Sequence, residues 1–217
     1  MEEKEEEEEE VRIKVTCIGS EGVGKSSIIK SYIKGSFDLD NASTCGADYY
    51  KKELKINNRK ILLDIWDTAG QEKFHSVGRQ FYRNSYIIIM VYDMTNIKSF
   101  EDIKNYWIND VLEHGEKYKI IALVGNKIDL YDAKGMDEID EKIIKQFLDN
   151  ISKNNKDCIF INERVSAKKN ENIKSLFDKL IQEYFGKEFN QKINGKILED
   201  GQSFKIQKKK KTKKKCC

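Results

Sequence analysis

The 217 residues contain no proline, a bias of composition that accompanies abundant Lys, Asn and Ile and carries no physical conclusion. Other absences decide more. No stretch approaches the roughly 18 apolar residues that span a bilayer, so no membrane-crossing helix is expected. The first ten residues hold eight Glu and one Lys, too acidic for a secretory signal, and a cytosolic chain is expected. The cysteines lack metal-ligand spacing: Cys17, Cys45 and Cys158 are scattered, and Cys216 and Cys217 close the sequence. The three internal ones read as packing or loop residues, since free cysteine behaves as a small hydrophobe. A broad basic surface is also missing. Without residues 1–10 and the eight lysines of 205–217, 31 basic residues stand against 29 acidic ones, which gives no argument for nucleic acid. Both ends are of low complexity and like charge, and are expected to be disordered.

What is present centres on residues 18–28, Ile-Gly-Ser-Glu-Gly-Val-Gly-Lys-Ser-Ser-Ile, where Gly19 is followed after four residues by Gly24-Lys25-Ser26. Glycines at this spacing let the backbone curl so that successive N–H groups point inward at phosphate oxygens. The candidate phosphate contacts are Gly19, Glu21, Gly22, Val23, Gly24, Lys25, Ser26 and Ser27. Lys25 would reach the β- and γ-phosphates, and the Ser26 hydroxyl would ligate Mg²⁺. The alternation Val11, Ile13, Val15, Cys17 predicts a strand entering the loop, and Ser26 to Lys34 predicts a helix leaving it with its N-terminus toward the anion. Alone, such a loop fits many nucleotide enzymes.

Downstream, the polar stretch Gly35 to Ala47 has no sustained period and is expected to be a long functional loop. Tyr49 to Ile56 and Lys60 to Asp67 predict two strands joined through Asn57, Asn58 and Arg59, a tight hairpin because Asn tolerates positive φ. Lys51, Lys52 and Lys55 mark the first of these as a protected edge strand. Ile87 to Tyr92 and Ile120 to Val124 are continuous apolar runs, as in strands covered on both faces. Phe100, Ile103, Trp107 and Val111 recur at helical spacing, as do Ile139, Ile143, Phe147 and Ile151, ahead of a short strand at Cys158 to Ile161. A last helix carries Ile173, Leu176, Phe177, Leu180, Ile181, Tyr184 and Phe185 as one core-facing stripe. The order predicts a three-layer α/β fold: a six-stranded, mostly parallel sheet with one antiparallel edge strand and helices on both faces. Ligands of such sheets sit beyond the carboxyl ends of the strands, where the motifs fall. The expected division is an acidic extension at 1–10, one domain at 11–185 and a tail at 186–217.

Trp66-Asp67-Thr68-Ala69-Gly70-Gln71-Glu72 stands at the end of the third predicted strand. Asp67 is placed to hold Mg²⁺ through water, the Gly70 N–H to meet a γ-phosphate, and Gln71 to orient the attacking water. By itself the segment is also compatible with a strand-ending turn. The strand from Ile120 then runs into Gly125-Asn126-Lys127-Ile128-Asp129. An Asp129 carboxylate accepts from both N1–H and the 2-amino group of guanine, whereas adenine sets an acceptor against it. That mismatch is costly in a partly buried site, so the base is expected to be guanine. Asn126 and Lys127 would brace the pocket, and Ser166, Ala167 and Lys168 would offer backbone N–H groups to guanine O6.

With these motifs in order, each at a predicted strand end, the sequence resembles the Ras-like small GTPases over about residues 11 to 185 and, within them, a Rab. The likeness is carried also by Leu62 to Trp66, Lys73 to Val77, Phe81 to Ser85, Met90 to Thr95 and the terminal Cys216-Cys217. The resemblance implies a membrane-anchored GTP/GDP switch in vesicle trafficking that hydrolyses GTP with Mg²⁺. It implies that Thr44 ligates Mg²⁺ and senses the γ-phosphate, and that Phe37 packs on guanine. Gly35 to Ala47 would be switch I, and Thr68 to about Arg83 switch II. It further implies geranylgeranyl groups on Cys216 and Cys217, added by an escort-assisted transferase. The ending is not a C-a-a-X box, and no Gly at position 2 invites myristoylation. Implied partners are an exchange factor, a GTPase-activating protein, a GDP-dissociation inhibitor or escort protein, and effectors. A monomer at the cytoplasmic face of an intracellular membrane, cycling with the cytosol, is expected.

The chain also departs from the pattern. Cys45-Gly46-Ala47-Asp48-Tyr49 stands where a Rab has Ile-Gly-Val-Asp-Phe, Asn84-Ser85 where Gly-Ala is usual, and Glu21 where a small residue or Asp is usual. No arginine of the switch loops has an evident route to the transition state, so unassisted hydrolysis is expected to be slow. In Ras itself, a relative, a partner's arginine contributes about 10⁵-fold, roughly 7 kcal/mol of barrier. A GTP-binding interaction module that barely hydrolyses stays open as a rival, with Glu21 and the altered switch I as the reason. An ATP-dependent kinase is disfavoured by Asn126 to Asp129. The lysine run alone is also compatible with a merely solvated or import-like segment, the less favoured alternative.

Overall fold

Alternation along β1 (Glu10–Ile18) sends Ile13, Val15 and Cys17 into one core and Ile18 into another, which places this strand at the centre of the molecule. The computed structural model describes residues 10–37, 44–56, 59–70, 75–116, 118–134 and 139–186. β3 (Arg59–Thr68) and β4 (Ile87–Asp93) flank β1 in parallel, followed on one side by β5 (Ile120–Asn126) and β6 (Ile159–Arg164). β2 (Ala47–Ile56) pairs antiparallel with β3, giving six strands in the order β2-β3-β1-β4-β5-β6. This is the mostly parallel sheet with one antiparallel edge strand that the sequence predicts. Every residue of β4 and β5 is buried, as their unbroken apolar runs require, while Lys51 and Lys55 of edge strand β2 are exposed. The register pairs Ile56 with Arg59, so Arg59 belongs to the strand; Asn57 and Asn58 lie outside the described residues.

Two cores sandwich the sheet. On one face α1 (Lys25–Lys34) and α7 (Ile173–Phe185) contribute Ile28, Ile29, Leu176, Phe177 and Leu180, and the rings of Tyr32 and Phe177 stack at 3.6 Å. On the other lie α2 (His75–Tyr82), α3 (Ile97–Asp102), a π-helical turn (Ile103–Trp107), α4 (Ile108–His114) and α6 (Glu141–Asn154). A short α5 (Ile128–Lys134), absent from the sequence reading, directly follows the β5 loop. Among the described residues no helix is long and apolar enough to cross a membrane.

Two expectations are corrected. Asp140 caps α6 by accepting the Lys142 N–H, so the helix starts at Glu141 and Ile139 precedes it. The buried stripe therefore shifts by one residue: Ile143 is 42% exposed, while Ile144 is fully buried with Phe147, Leu148 and Ile151 packed against its cluster. Ile139 and Ile144 share that cluster, the N′ and N4 positions of a hydrophobic staple. The last strand starts at Ile159 and continues past Ile161 to Arg164, its polar end hidden from an apolar pattern. Pairing of Arg164 with Gly125 brings the segment after β6 beside the loop after β5.

One buried carboxylate fastens α2 to α4. Asp110 accepts from Arg79 Nε at 2.9 Å and Nη2 at 2.7 Å and from the Tyr82 hydroxyl, while His114 Nδ1 lies 3.3 Å away. Removing the acceptor strands the hydroxyl of a buried tyrosine, whereas the half-solvated guanidinium can turn to water. Asp110→Ala is expected to lower the unfolding free energy by about 2–4 kcal/mol in urea titrations. A loss well under 1 kcal/mol would mean that the clamp does not hold α2.

Candidate functional site

The segments after β1, β3, β5 and β6 meet at the carboxyl end of the sheet. The first runs from Gly19 to Gly24 and delivers the chain into α1, whose N-terminus carries no side-chain cap and no acid in its first turn. A helix N-terminus of this kind directs its opening N–H groups toward an anion, and no side chain of the Gly24 cap competes for them. Gly24 is in the left-handed region at φ 96, and a Cβ there would stand 2.2 Å from Asn126 Nδ2, so no other residue fits. Lys25 is buried, its ammonium donating to the carbonyls of Gly19 at 2.8 Å and Ser20 at 2.9 Å. Burial lowers its pKa to about 8, against the opposing pull of Asp67, Cys17 and Glu21. Ser26 and Ser27 are half-buried in the first turn of α1, and Glu21 is exposed.

Ser26, Thr44 and Asp67 converge beside that turn. The Ser26 and Thr44 hydroxyl oxygens are 2.9 Å apart, and Thr44 Oγ1 lies 3.5 Å from Asp67 Oδ2. Asp67 is wholly buried, and its Oδ1 has no hydrogen-bond partner. Burial pushes its pKa up to about 6, partly offset by the Ser26 hydroxyl and the Lys25 charge. Two hydroxyls beside a buried, half-unsatisfied carboxylate are the hard oxygen donors that suit Mg²⁺. The residues present therefore fit the ion that the sequence motifs call for. Gly70 rests directly on the phosphate loop, since a Cβ would come within 2.5 Å of Glu21 N and Lys25 Nζ. The Ala69 N–H donates to Gly46 O at 2.7 Å, so the segment after β3 is bonded to the one before β2. Gln71 lies outside the described residues, as do Cys216 and Cys217.

Beyond β5 the second half of the site is braced onto the first. Asn126 donates from Nδ2 to Val23 O at 2.9 Å and accepts the Ala167 N–H on Oδ1 at 3.1 Å. Lys127 takes a positive φ of 66, and its ammonium donates to Gly22 O at 2.8 Å and to Asp93 Oδ2 at 2.7 Å. Burial works against the Asp93 carboxylate, but Lys127 with the N–H and hydroxyl of Thr95 outweighs it and holds the pKa low. Asp129 opens α5 and accepts the Ser166 hydroxyl on Oδ1 at 2.7 Å. The Ser166 N–H is engaged by Glu171 O at 3.1 Å and that of Ala167 by Asn126, so both brace the loop, a role distinct from the expected donation to guanine O6. Lys168 is exposed, and Phe37 is partly buried against the core that includes Val165 and Ala167. Sequence reasoning missed Asp93 and the bond from Ser20 Oγ to Asp102 Oδ2 at 2.6 Å. Asp93 had a signal: it is the one charged residue ending the apolar β4.

A parallel α/β sheet bearing an anion cradle, a hydroxyl-carboxylate cation site and a braced Asn-Lys-x-Asp loop on one rim defines a P-loop nucleotide-binding protein. The Ras family model matches residues 14–186, and the chain belongs to this family of small GTPases, whose members bind guanine nucleotide with Mg²⁺. Its relatives over most of its length are Rab proteins. The Ras-related protein RabC of Dictyostelium discoideum is 37% identical over 183 residues, 81% of this chain and 85% of its own length. The Ras-related protein Rab-22A of Homo sapiens is 38% identical over 165 residues, covering 76% and 79%. The Ras-related protein RABF2a of Arabidopsis thaliana is 34% identical over 167 residues, covering 77% and 78%.

Proposed function

We propose that this chain is a Rab-type switch that binds GTP, presents ordered loops to partners and hydrolyses GTP to GDP and phosphate. The observation that carries the reading is Asn126, whose one amide holds Val23 of the phosphate loop and Ala167 of the base-side loop. Asp129 then reads guanine at a fixed distance from the phosphate cradle, Lys25 and the α1 N-terminus bind phosphates, and Gln71 orients the attacking water. Ser26 and Thr44 would hold Mg²⁺ directly and Asp67 through water, an ion that when bound neutralises charge on the β- and γ-phosphates. Because Ala69 is bonded to Gly46, a γ-phosphate that orders one switch loop orders the other, and hydrolysis releases both. Competition of GTP, GDP and ATP against a fluorescent guanine nucleotide tests this, with guanine favoured over ATP by at least roughly 10³-fold. Tighter ATP binding would sink it.

The finer reading is a trafficking switch with an acidic extension (1–10), a GTPase domain (11–185) and a tail (186–217) ending in geranylgeranylated Cys216 and Cys217. The lysine run supports this through attraction to anionic lipid, worth about 1 kcal/mol per residue, and two lipid chains give stable anchoring. Unmodified Cys216 and Cys217 in protein from its native cells, by mass spectrometry, would remove the lipid component. An exchange factor, a GTPase-activating protein, a GDP-dissociation inhibitor or escort protein, and effectors complete the cycle. An effector face is supported by the row Tyr49, Trp66, Phe81, with ring centroids 5.3 and 5.7 Å apart. It borders a cleft of about 350 Å³ lined by Arg12, Lys14, Tyr49, Asp64 and Trp66.

A second reading, an interaction module with little hydrolysis, rests on Glu21 standing in the phosphate loop with its backbone N against Gly70. Glu21→Gly is expected to raise the single-turnover hydrolysis rate about tenfold, a barrier change near 1.4 kcal/mol. If the wild type turns over no GTP with a matching activator while binding it tightly, the module reading prevails.

A further inference from the structure

The loop between β6 and α7 is fastened to the carboxyl end of α1, a contact that none of the nucleotide motifs calls for. Two bonds make it, both from one side chain. Asn170 donates from Nδ2 to Gly35 O at 3.1 Å and accepts the Ser31 hydroxyl on Oδ1 at 2.8 Å. Ser31 is buried within α1, and Gly35 is the glycine that ends it, in the left-handed region at φ 72 with its N–H on Ser31 O at 2.8 Å. The residue leaving the helix is therefore held on both its N–H and its carbonyl. Asn170 suits the other end of this latch. It sits at φ 54, a backbone conformation that Asn tolerates better than most residues, and its amide is a donor and an acceptor at once.

The latch extends a chain of bonds along the base side of the site. Asp129 accepts the Ser166 hydroxyl, Ser166 and Glu171 exchange two backbone bonds, and Ser166 Oγ accepts the Lys169 N–H. Asn172 donates from Nδ2 to Arg164 O at 2.9 Å, which ties the loop back to the end of β6. Asn170 stands inside this turn, its N–H on Ala167 O at 3.4 Å and its side chain reaching out to α1. Two residues past Gly35 is Phe37, partly buried against the core that includes Val165 and Ala167 and expected to pack on guanine. Ala167 is itself held by Asn126. Asn170 thus joins the loop that carries Ala167 to the residues that lead to Phe37.

We propose that Asn170 is a positioning residue of the guanine site, a latch that holds the loop after β6 and the exit of α1 at a fixed separation and so slows nucleotide release. The inference rests on the guanine-binding reading above and adds a determinant of how long the nucleotide stays. Asn170 touches no nucleotide atom in this role; it acts through Phe37 and the loop of Ala167. Separating that loop from the α1 exit breaks both bonds, so the latch acts on the dissociation rate, where most affinity differences between related complexes lie.

The test loads the full chain with a fluorescent GDP and chases it with excess unlabelled GDP in the presence of Mg²⁺. Asn170→Gly removes both bonds while keeping the left-handed backbone without strain, and is expected to release the label about tenfold faster than wild type, with the association rate within about twofold. Asn170→Asp keeps the acceptor for Ser31 but sets a carboxylate oxygen against Gly35 O, and is expected to be at least as fast. Ser31→Ala, which removes one bond, is expected to fall between wild type and Asn170→Gly. A role confined to folding would lower the melting temperature and the loadable fraction and leave the release rate of loaded molecules unchanged. That outcome, or release within about twofold of wild type for all three variants, would overturn the inference and leave the guanine reading standing. If Asn170→Gly fails to load, the other two variants decide on the same criterion. Wild type that takes up no fluorescent guanine nucleotide would remove the guanine reading and the inference with it.

Discussion

Asp129→Asn is expected to weaken GDP and GTP binding by roughly 10⁴-fold and to create binding of xanthine nucleotides, the discrimination of a site built to hydrogen-bond its ligand. Asp129 accepts the Ser166 hydroxyl on one oxygen, and the remaining lone pairs are those a purine edge can meet. Guanine offers two donors there, N1–H and the 2-amino group. An amide in place of the carboxylate turns one acceptor into a donor that faces the 2-amino group, leaving both unpaired in a site partly withdrawn from water. Xanthine restores the match by carrying an oxygen at that position. The fold should persist, because Ser166 can still bond to the amide oxygen and its Oγ still accepts the Lys169 N–H at 3.0 Å. Competition of GDP and xanthosine diphosphate against a fluorescent guanine nucleotide measures the exchange, with thermal melting as the control for folding. A fall in GDP affinity below tenfold, in a variant that melts like the wild type, would mean that Asp129 does not read the base.

Why Asp129 was legible while its supports were not follows from what a sequence pattern records. Motif spacing names the residues that face the ligand, because ligand geometry dictates their identity and order. It does not record that Asn126 reaches Val23 or that Lys127 reaches Gly22, contacts spanning 103 and 105 positions that exist only once β1 and β5 lie in one sheet. β4 and β5 were legible for the opposite reason, since each is buried throughout, and α7 because its buried Ile173, Leu176, Phe177, Leu180 and Ile181 keep one helical spacing. α6 shows the limit. Ile143 and Ile144 are adjacent apolar residues, and only the start set by Asp140 decides which of them faces the core. The end of β6 fails similarly, since Asn162, Glu163 and Arg164 pair with β5 through backbone that side-chain polarity does not report.

Lys25→Met is expected to act with opposite signs on two measurements. It should reduce GTP and GDP affinity by about 10³-fold or more, through loss of a buried cation that sits against the phosphate-loop carbonyls of Gly19 and Ser20. The same change should stabilise the nucleotide-free protein. Lys25 is 6% exposed, and burial depresses its pKa from 10.5 to about 8, so keeping it charged at pH 7 costs on the order of 3 kcal/mol relative to water. Met has nearly the same length and shape and no charge to desolvate, although it leaves the Gly19 and Ser20 carbonyls to be met by water. A net gain of about 1–2 kcal/mol is therefore expected in urea unfolding at pH 7 without nucleotide. The pH dependence carries the sign. With the folded pKa below the unfolded one, the penalty is complete below pH 8 and is relieved between about pH 8 and 10.5, as the folded state releases its proton first. The nucleotide-free wild type should accordingly gain on the Met variant across that interval. Phosphate binding calls the proton back, so wild-type GDP affinity should fall by up to about tenfold per pH unit above 8 while the residual affinity of the variant stays flat. A nucleotide-free Met variant that is less stable than wild type at pH 7, with no pH-dependent difference between them, would show that the two carbonyl bonds outweigh the desolvation of the charge.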